Sequence, residues 1–185
     1  CVAAALEVLW GAVARLAALL SETGLKRARG KGRELWLALE LAATGEDVDV
    51  HDGDAETYVE DHVPELLFPL EHGLAFSKGY YARVENDRLY GRLLRLLYRP
   101  LIEALSQDDD APVLDFLGSF RYALAGEFAT PDRLARQRRS QRGWGSEVGT
   151  LGGVFLLVRA EGVARGATRT HAPHQRRAAV TTRPT

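Results

Sequence analysis

At the start of the chain apolar residues crowd every side of a helix. Val2, Leu6, Val8, Leu9, Trp10, Val13, Leu16, Leu19 and Leu20 cover more than one face at 100° per residue. The pattern predicts a helix over Val2 to Glu22 that needs burial on two sides. It ends at Thr23-Gly24, where glycine suits a left-handed cap. The basic, glycine-broken linker LKRARGKGR leads to a second helix over Glu34 to Ala43, closed again by Thr44-Gly45. The stretch EDVDVHDGDA alternates only at Val48 and Val50 and reads as a loop. A short helix over Glu56 to His62 precedes another that Pro64 opens and Gly73 closes. Leu74 to Val84 reads equally as helix or strand.

The clearest periodicity lies in RLYGRLLRLLYRP, residues 88 to 100. On a helix Arg88, Arg92, Arg95 and Arg99 fall within an arc of about 60°, roughly one turn apart. Leu89, Leu93, Leu96, Leu97, Leu101 and Leu105 take the other side. The segment from Val84 to Leu105 therefore predicts an amphipathic helix whose leucines are core and whose arginines form a surface stripe. After the turn SQDDDAP, a helix over Val113 to Phe128 buries Leu117, Phe120, Leu124 and Phe128. Five or more helices with no convincing sheet predict an all-α fold, an irregular bundle over residues 1–129.

Beyond Ala129 the periodic signal decays. Thr130-Pro131 reads as the start of a short basic helix over RLARQRRSQR, and GVFLLV, residues 153 to 158, as a strand without a partner. The remainder has the arginine, alanine, threonine and proline content of a low-order tail.

Composition sharpens that division. Residues 1–130 hold 22 Asp and Glu against 13 Lys and Arg, whereas residues 131–185 hold 3 against 11. The abrupt change, in a chain whose arginine bias implies a GC-rich gene, fits translation out of frame over residues 131–185. The acidic body also points weakly to a high-salt source. Only three of 24 basic residues are lysine, Lys26, Lys31 and Lys78. A single cysteine, Cys1, excludes an internal disulfide framework and favours a cytoplasmic setting. The absence of methionine implies sequence upstream of Cys1. Glu7 and Arg15 within the first apolar run argue against a membrane span.

Two constellations are candidates for function. The Arg88, Arg92, Arg95 and Arg99 stripe, with tyrosines nearby, has the residue types that bind phosphates and stack on bases, or that meet an acidic partner. His51, His62 and His72 stand among carboxylates, the donors of a hydrolytic metal site, but without a recognised ligand spacing. No catalytic constellation, cofactor motif or metal site is evident. The chain reads as a helical interaction or regulatory module of a larger cytoplasmic protein or complex, with a protein partner or upstream segment packing on the first helix. Nucleic-acid binding through the arginines is the alternative, and a metal-dependent hydrolase using the three histidines is third.

Overall fold

The computed structural model describes residues 18, 20–23, 30–42, 45–53, 59–81, 84–85, 88–89, 91–109, 111–137, 145–158 and 162–164. The expected helices over Val2 to Glu22 and Glu56 to His62 lie largely outside these, as does the end of the chain. The described elements, in order, are α1 (Lys31–Ala42), β1 (Asp47–Val50), α2 (His62–Glu71), β2 (Phe76–Lys78), β3 (Val84–Glu85), β4 (Arg88–Leu89), a π-helical turn (Leu94–Tyr98) running into α3 (Arg99–Asp108), α4 (Pro112–Gly118), β5 (Phe128–Pro131), α5 (Asp132–Gln137), α6 (Ser146–Val158) and β6 (Val163–Ala164).

The all-α expectation is corrected by a four-stranded mixed sheet of order β1-β5-β2-β6. β5 pairs antiparallel with β1, in register Val48 to Thr130, and with β2, in register Ser77 to Ala129. β2 pairs parallel with β6 on its other side. The residues taken for a loop at Val48 and Val50 are an edge strand. The stretch after Gly73, left open between helix and strand, supplies β2. All three β2 residues are buried, as are the first three of β5, so neither shows the alternation of a half-solvated strand. GVFLLV is not a strand but the end of α6, a helix that the sequence reading did not contain.

Helix α2 packs across β1, β2 and β5, and α4 packs against α3 and α6. The end of α2 matches the sequence reading, with Gly73 at φ 84° after the last turn. The core gathers Phe76 and Phe128 from the sheet with Leu94, Tyr98, Ile102, Phe116, Phe120, Leu151 and Val154 from the helices. Phe76 stacks on Phe128 at 5.6 Å between centroids, and Phe116 meets Phe120 edge to face at 5.0 Å. The division expected at residue 129 falls inside β5, and α6 and β6 add Leu151, Val154 and Val163 to the same core.

The helix over the arginine stripe is turned the other way from the expectation. Leu94, Tyr98 and Ile102 are buried, and the Tyr98 hydroxyl donates to Leu117 O at 3.0 Å. Leu93, Leu96 and Leu97 are exposed by 61%, 74% and 56%. The physical reason is a contest between two rows at four-residue spacing, 94/98/102 and 93/97/101/105. The first wins because it brings an aromatic ring with a satisfied hydroxyl and a branched side chain to the core. Nor do the four arginines share one helix. Arg88 lies on β4, and Gly91, at φ 125°, breaks the chain before Arg92.

Candidate functional site

Charged side chains gather where β1 and β2 end and β5 begins, beside the first turns of α1 and α6. Gly30, at φ 135°, turns the chain into α1, so that Lys31 is its first residue. The Lys31 ammonium donates to Asp52 Oδ1 at 2.5 Å and to Glu147 Oε1 at 2.9 Å. Asp52 follows β1, and Glu147 belongs to the first turn of α6, where a carboxylate is favoured by the helix dipole. Burial works against the charge on Lys31, but the bonds to the two carboxylates outweigh it and leave its pKa raised.

Beneath this pair lies Lys78, the last residue of β2, which is 2% exposed. Its ammonium donates to Ala125 O. Burial pulls its pKa down to about 8, opposed by the charges of Glu127, Glu147 and Asp52 and reinforced by that of Lys31. Glu127, just before β5, is itself buried. Two glycines permit this close packing. A Cβ on Gly79 would stand 2.9 Å from the Cβ of Glu127, and one on Gly126 would overlap the Asp52 carboxylate. Alongside, His51 Nε2 meets Asp49 Oδ2 at 2.8 Å, and that hydrogen bond raises the histidine pKa against the effect of burial. Four carboxylates and two lysines thus converge from segments up to 116 residues apart.

The predicted site residues are distributed otherwise. Arg92, Arg95 and Arg99 are exposed on the helix away from this cluster, and Arg99 Nη2 donates to Arg121 O at 3.3 Å. The three histidines do not converge. His51 joins the cluster, His62 accepts from Val59 N, and His72 lies on Phe68 with a ring nitrogen 2.8 Å from Phe68 O. Among the described residues no group of three His, Cys, Asp or Glu side chains could hold a metal ion. Lys31, Lys78, Glu127 and Glu147 were missed by the sequence reading. One signal was available: in a chain that uses arginine for nearly every cation, two of the three lysines stand in this cluster. No described helix is long and apolar enough to cross a membrane.

No family model matches the chain. It is 40% identical over 133 residues to the glucosyl-3-phosphoglycerate synthase of Methanococcoides burtonii, covering 69% of this chain and 33% of that protein. It is 43% identical over 133 residues to the enzyme of the same name from Persephonella marina, covering 68% and 33%. The chain therefore spans about a third of the length of the curated relatives it matches. Among solved structures it superposes with a TM-score of 0.67 and 28% identity on the Mycobacterium tuberculosis glucosyl-3-phosphoglycerate synthase in complex with Mn2+, UDP-glucose and glycerol 3-phosphate. That match covers 80% of this chain and 48% of the other. A mycobacterial protein gives 0.68 and 29%. These similarities overturn the expected functions. The relatives are sugar-transferring synthases, so the non-catalytic interaction module, the nucleic-acid binder and the histidine-based hydrolase are all corrected.

Proposed function

We propose that this chain is part of a glucosyltransferase that moves glucose from UDP-glucose to the hydroxyl of a phosphoglycerate. The observation that carries the reading is the convergence of Lys31, Asp52 and Glu147 at the end of the sheet, in a chain 40% identical to a synthase of that chemistry. In such a transfer the acceptor hydroxyl oxygen bonds to the anomeric carbon of glucose. The bond from that carbon to the β-phosphate oxygen breaks, UDP departs with the electron pair, and the hydroxyl proton is released. The difficulty is the negative charge that grows on the departing diphosphate.

Lys31 answers that need. It stands at a helix N-terminus behind a glycine turn, with an ammonium able to exchange its carboxylate partners for phosphate oxygens. Asp52 and Glu147 hold that ammonium aimed into the site before the nucleotide arrives, so less ordering is left for binding to accomplish. The M. tuberculosis enzyme was solved with Mn2+. Here the described residues offer Asp52 and Glu147 as oxygen donors, already shared with Lys31, and do not by themselves complete a metal site. The residue work is therefore binding, aiming and charge compensation by Lys31.

Because the chain spans a third of its relatives, the test is binding rather than turnover. Calorimetric titration of the full chain with UDP and with UDP-glucose should show both bind, and Lys31→Ala should weaken UDP about tenfold or more, as expected for a lost charge-assisted hydrogen bond. A folded chain that binds neither compound refutes the assignment.

A further inference from the structure

Under α2 the sheet presents oxygen where a covered face is usually apolar. Phe76, Phe128 and Val50 pack into the core formed with α3, α4 and α6. Successive side chains of a strand point to opposite faces, so Ser77, Ala129 and Asp49 face the other way, toward α2 and its buried His62 and Leu66. Asp49 and Ser77 are both paired with Ala129. The three therefore form one row across β1, β5 and β2, a methyl group in the middle with an oxygen-bearing side chain on each side.

Ser77 and Ala129 have no exposed surface. Asp49 uses Oδ2 to meet His51 Nε2 at 2.8 Å. Among the described residues its buried Oδ1 has no hydrogen-bond partner, and neither has the buried Ser77 Oγ. Two such atoms in one row point to a shared ligand, because a buried polar atom left unpaired is costly. Two strand spacings separate the backbones of Asp49 and Ser77 by about 10 Å. With both side chains leaning over the Ala129 methyl, their oxygens stand about 6 Å apart, which one water spans with two hydrogen bonds. One carboxylate and one hydroxyl suit water and are too few for a metal ion.

We propose that Asp49 and Ser77 bind one buried water over Ala129, and that this water holds Asp49 as the anchor of His51. Ser77 is then a positioning residue, acting on an imidazole at the edge of the charged cluster from two strands away. An ionised carboxylate only accepts, so Nε2 carries the proton of the neutral ring, and a fixed Asp49 keeps the ring in that tautomer. None of this depends on what the cluster binds.

Nuclear magnetic resonance of the full chain, at a pH where the imidazole is neutral, tests this together with thermal melts. The parent should show a long-lived water signal at the Ala129 methyl and a single His51 tautomer protonated on Nε2. Ser77→Ala should lower the melting temperature by about 2 to 4 °C, the loss of one buried hydrogen bond, and shift His51 toward the mixed tautomers of an unheld ring. Ala129→Ser puts a hydroxyl where the water sits. It should remove the water signal, melt within about 2 °C of the parent, and halve the further effect of Ser77→Ala. Absence of water at the Ala129 methyl of the parent overturns the inference, as does a direct bond between Asp49 and Ser77. A Ser77→Ala variant that melts lower but keeps the His51 tautomer unchanged would give Ser77 a packing role alone and overturn the positioning claim, whether or not Ala129→Ser folds.

Discussion

Lys78 gives the buried cluster a measurable signature. Its amine titrates near 8 in the folded chain against 10.5 when unfolded, chiefly because burial disfavours the ammonium. Between those two values the unfolded chain is protonated and the folded chain is not, so unfolding takes up a proton and alkaline pH favours the folded state. The groups facing the amine are Glu127, Glu147 and Asp52, which favour its charge, and Lys31, which opposes it. The displacement from 10.5 to about 8 corresponds to about 3 kcal/mol. Below pH 8 the ammonium costs the folded state that amount, and the cost is relieved as pH rises toward 10.5. Other groups titrate over the same range, so the assay is a difference. Urea unfolding, followed by tryptophan fluorescence at pH 7 and pH 10, is compared between the parent and Lys78→Met. The parent should gain about 2 to 3 kcal/mol on the variant over that interval. A difference flat with pH would show that Lys78 is not a buried, charge-destabilised amine, and the packing of β2 against the 125–127 turn would be misplaced.

Three other outcomes follow from the same packing. Gly126→Ala should displace the Asp52 carboxylate, the movable end of a side chain, so thermal melts should show a loss below about 1 kcal/mol while calorimetry shows weakened UDP binding; unchanged affinity would separate Asp52 from the site. Leu94→Ala should cost about 2 to 5 kcal/mol, as a buried truncation does, whereas the exposed Leu97→Ala should cost under about 0.5 kcal/mol; denaturant midpoints in the reverse order would turn the helix over. Removing residues 143–185 takes Leu151, Val154 and Val163 from the core and β6 from β2, at about 1.5 to 3 kcal/mol for each large buried side chain. Calorimetric cooperativity should be lost, and a sharp transition in the shortened chain would place the domain boundary at 129 after all.

The helices were legible wherever a local signal fixed them. Gly45 and Gly73, both at φ 84°, mark positions read as helix stops, and α1 runs over Lys31–Ala42 where Glu34 to Ala43 was expected. The sheet was not legible because its strands are two to four residues long. The central pair is buried on both sides, so no alternation betrays it. Serine and lysine in β2, and alanine and proline in β5, carry little strand propensity of the kind a sequence scan weighs. The helix orientation failed for a different reason. Two rows offset by one residue were both apolar, and the choice between them was made by the Tyr98 hydroxyl finding Leu117 O, a contact 19 residues away. The site escaped because its members come from five segments, none of which has a motif of its own.

The position of β2 in the sheet also sets an order of events during synthesis. Its partners are β5, some 50 residues later, and β6, later still. Pairings this distant in sequence form late, because the intervening loops must close first. Until residues 163–164 leave the ribosome, β2 is an edge strand with one row of backbone groups open to any passing chain. Its last residue is the lysine that ends up beneath the site. A charged ammonium on a nascent edge discourages pairing between molecules, and the same group finds its buried place only once β5 has arrived, with Lys78 opposite Phe128 and its ammonium on Ala125 O. The residue that costs the finished protein stability is, for the unfinished one, a guard against aggregation.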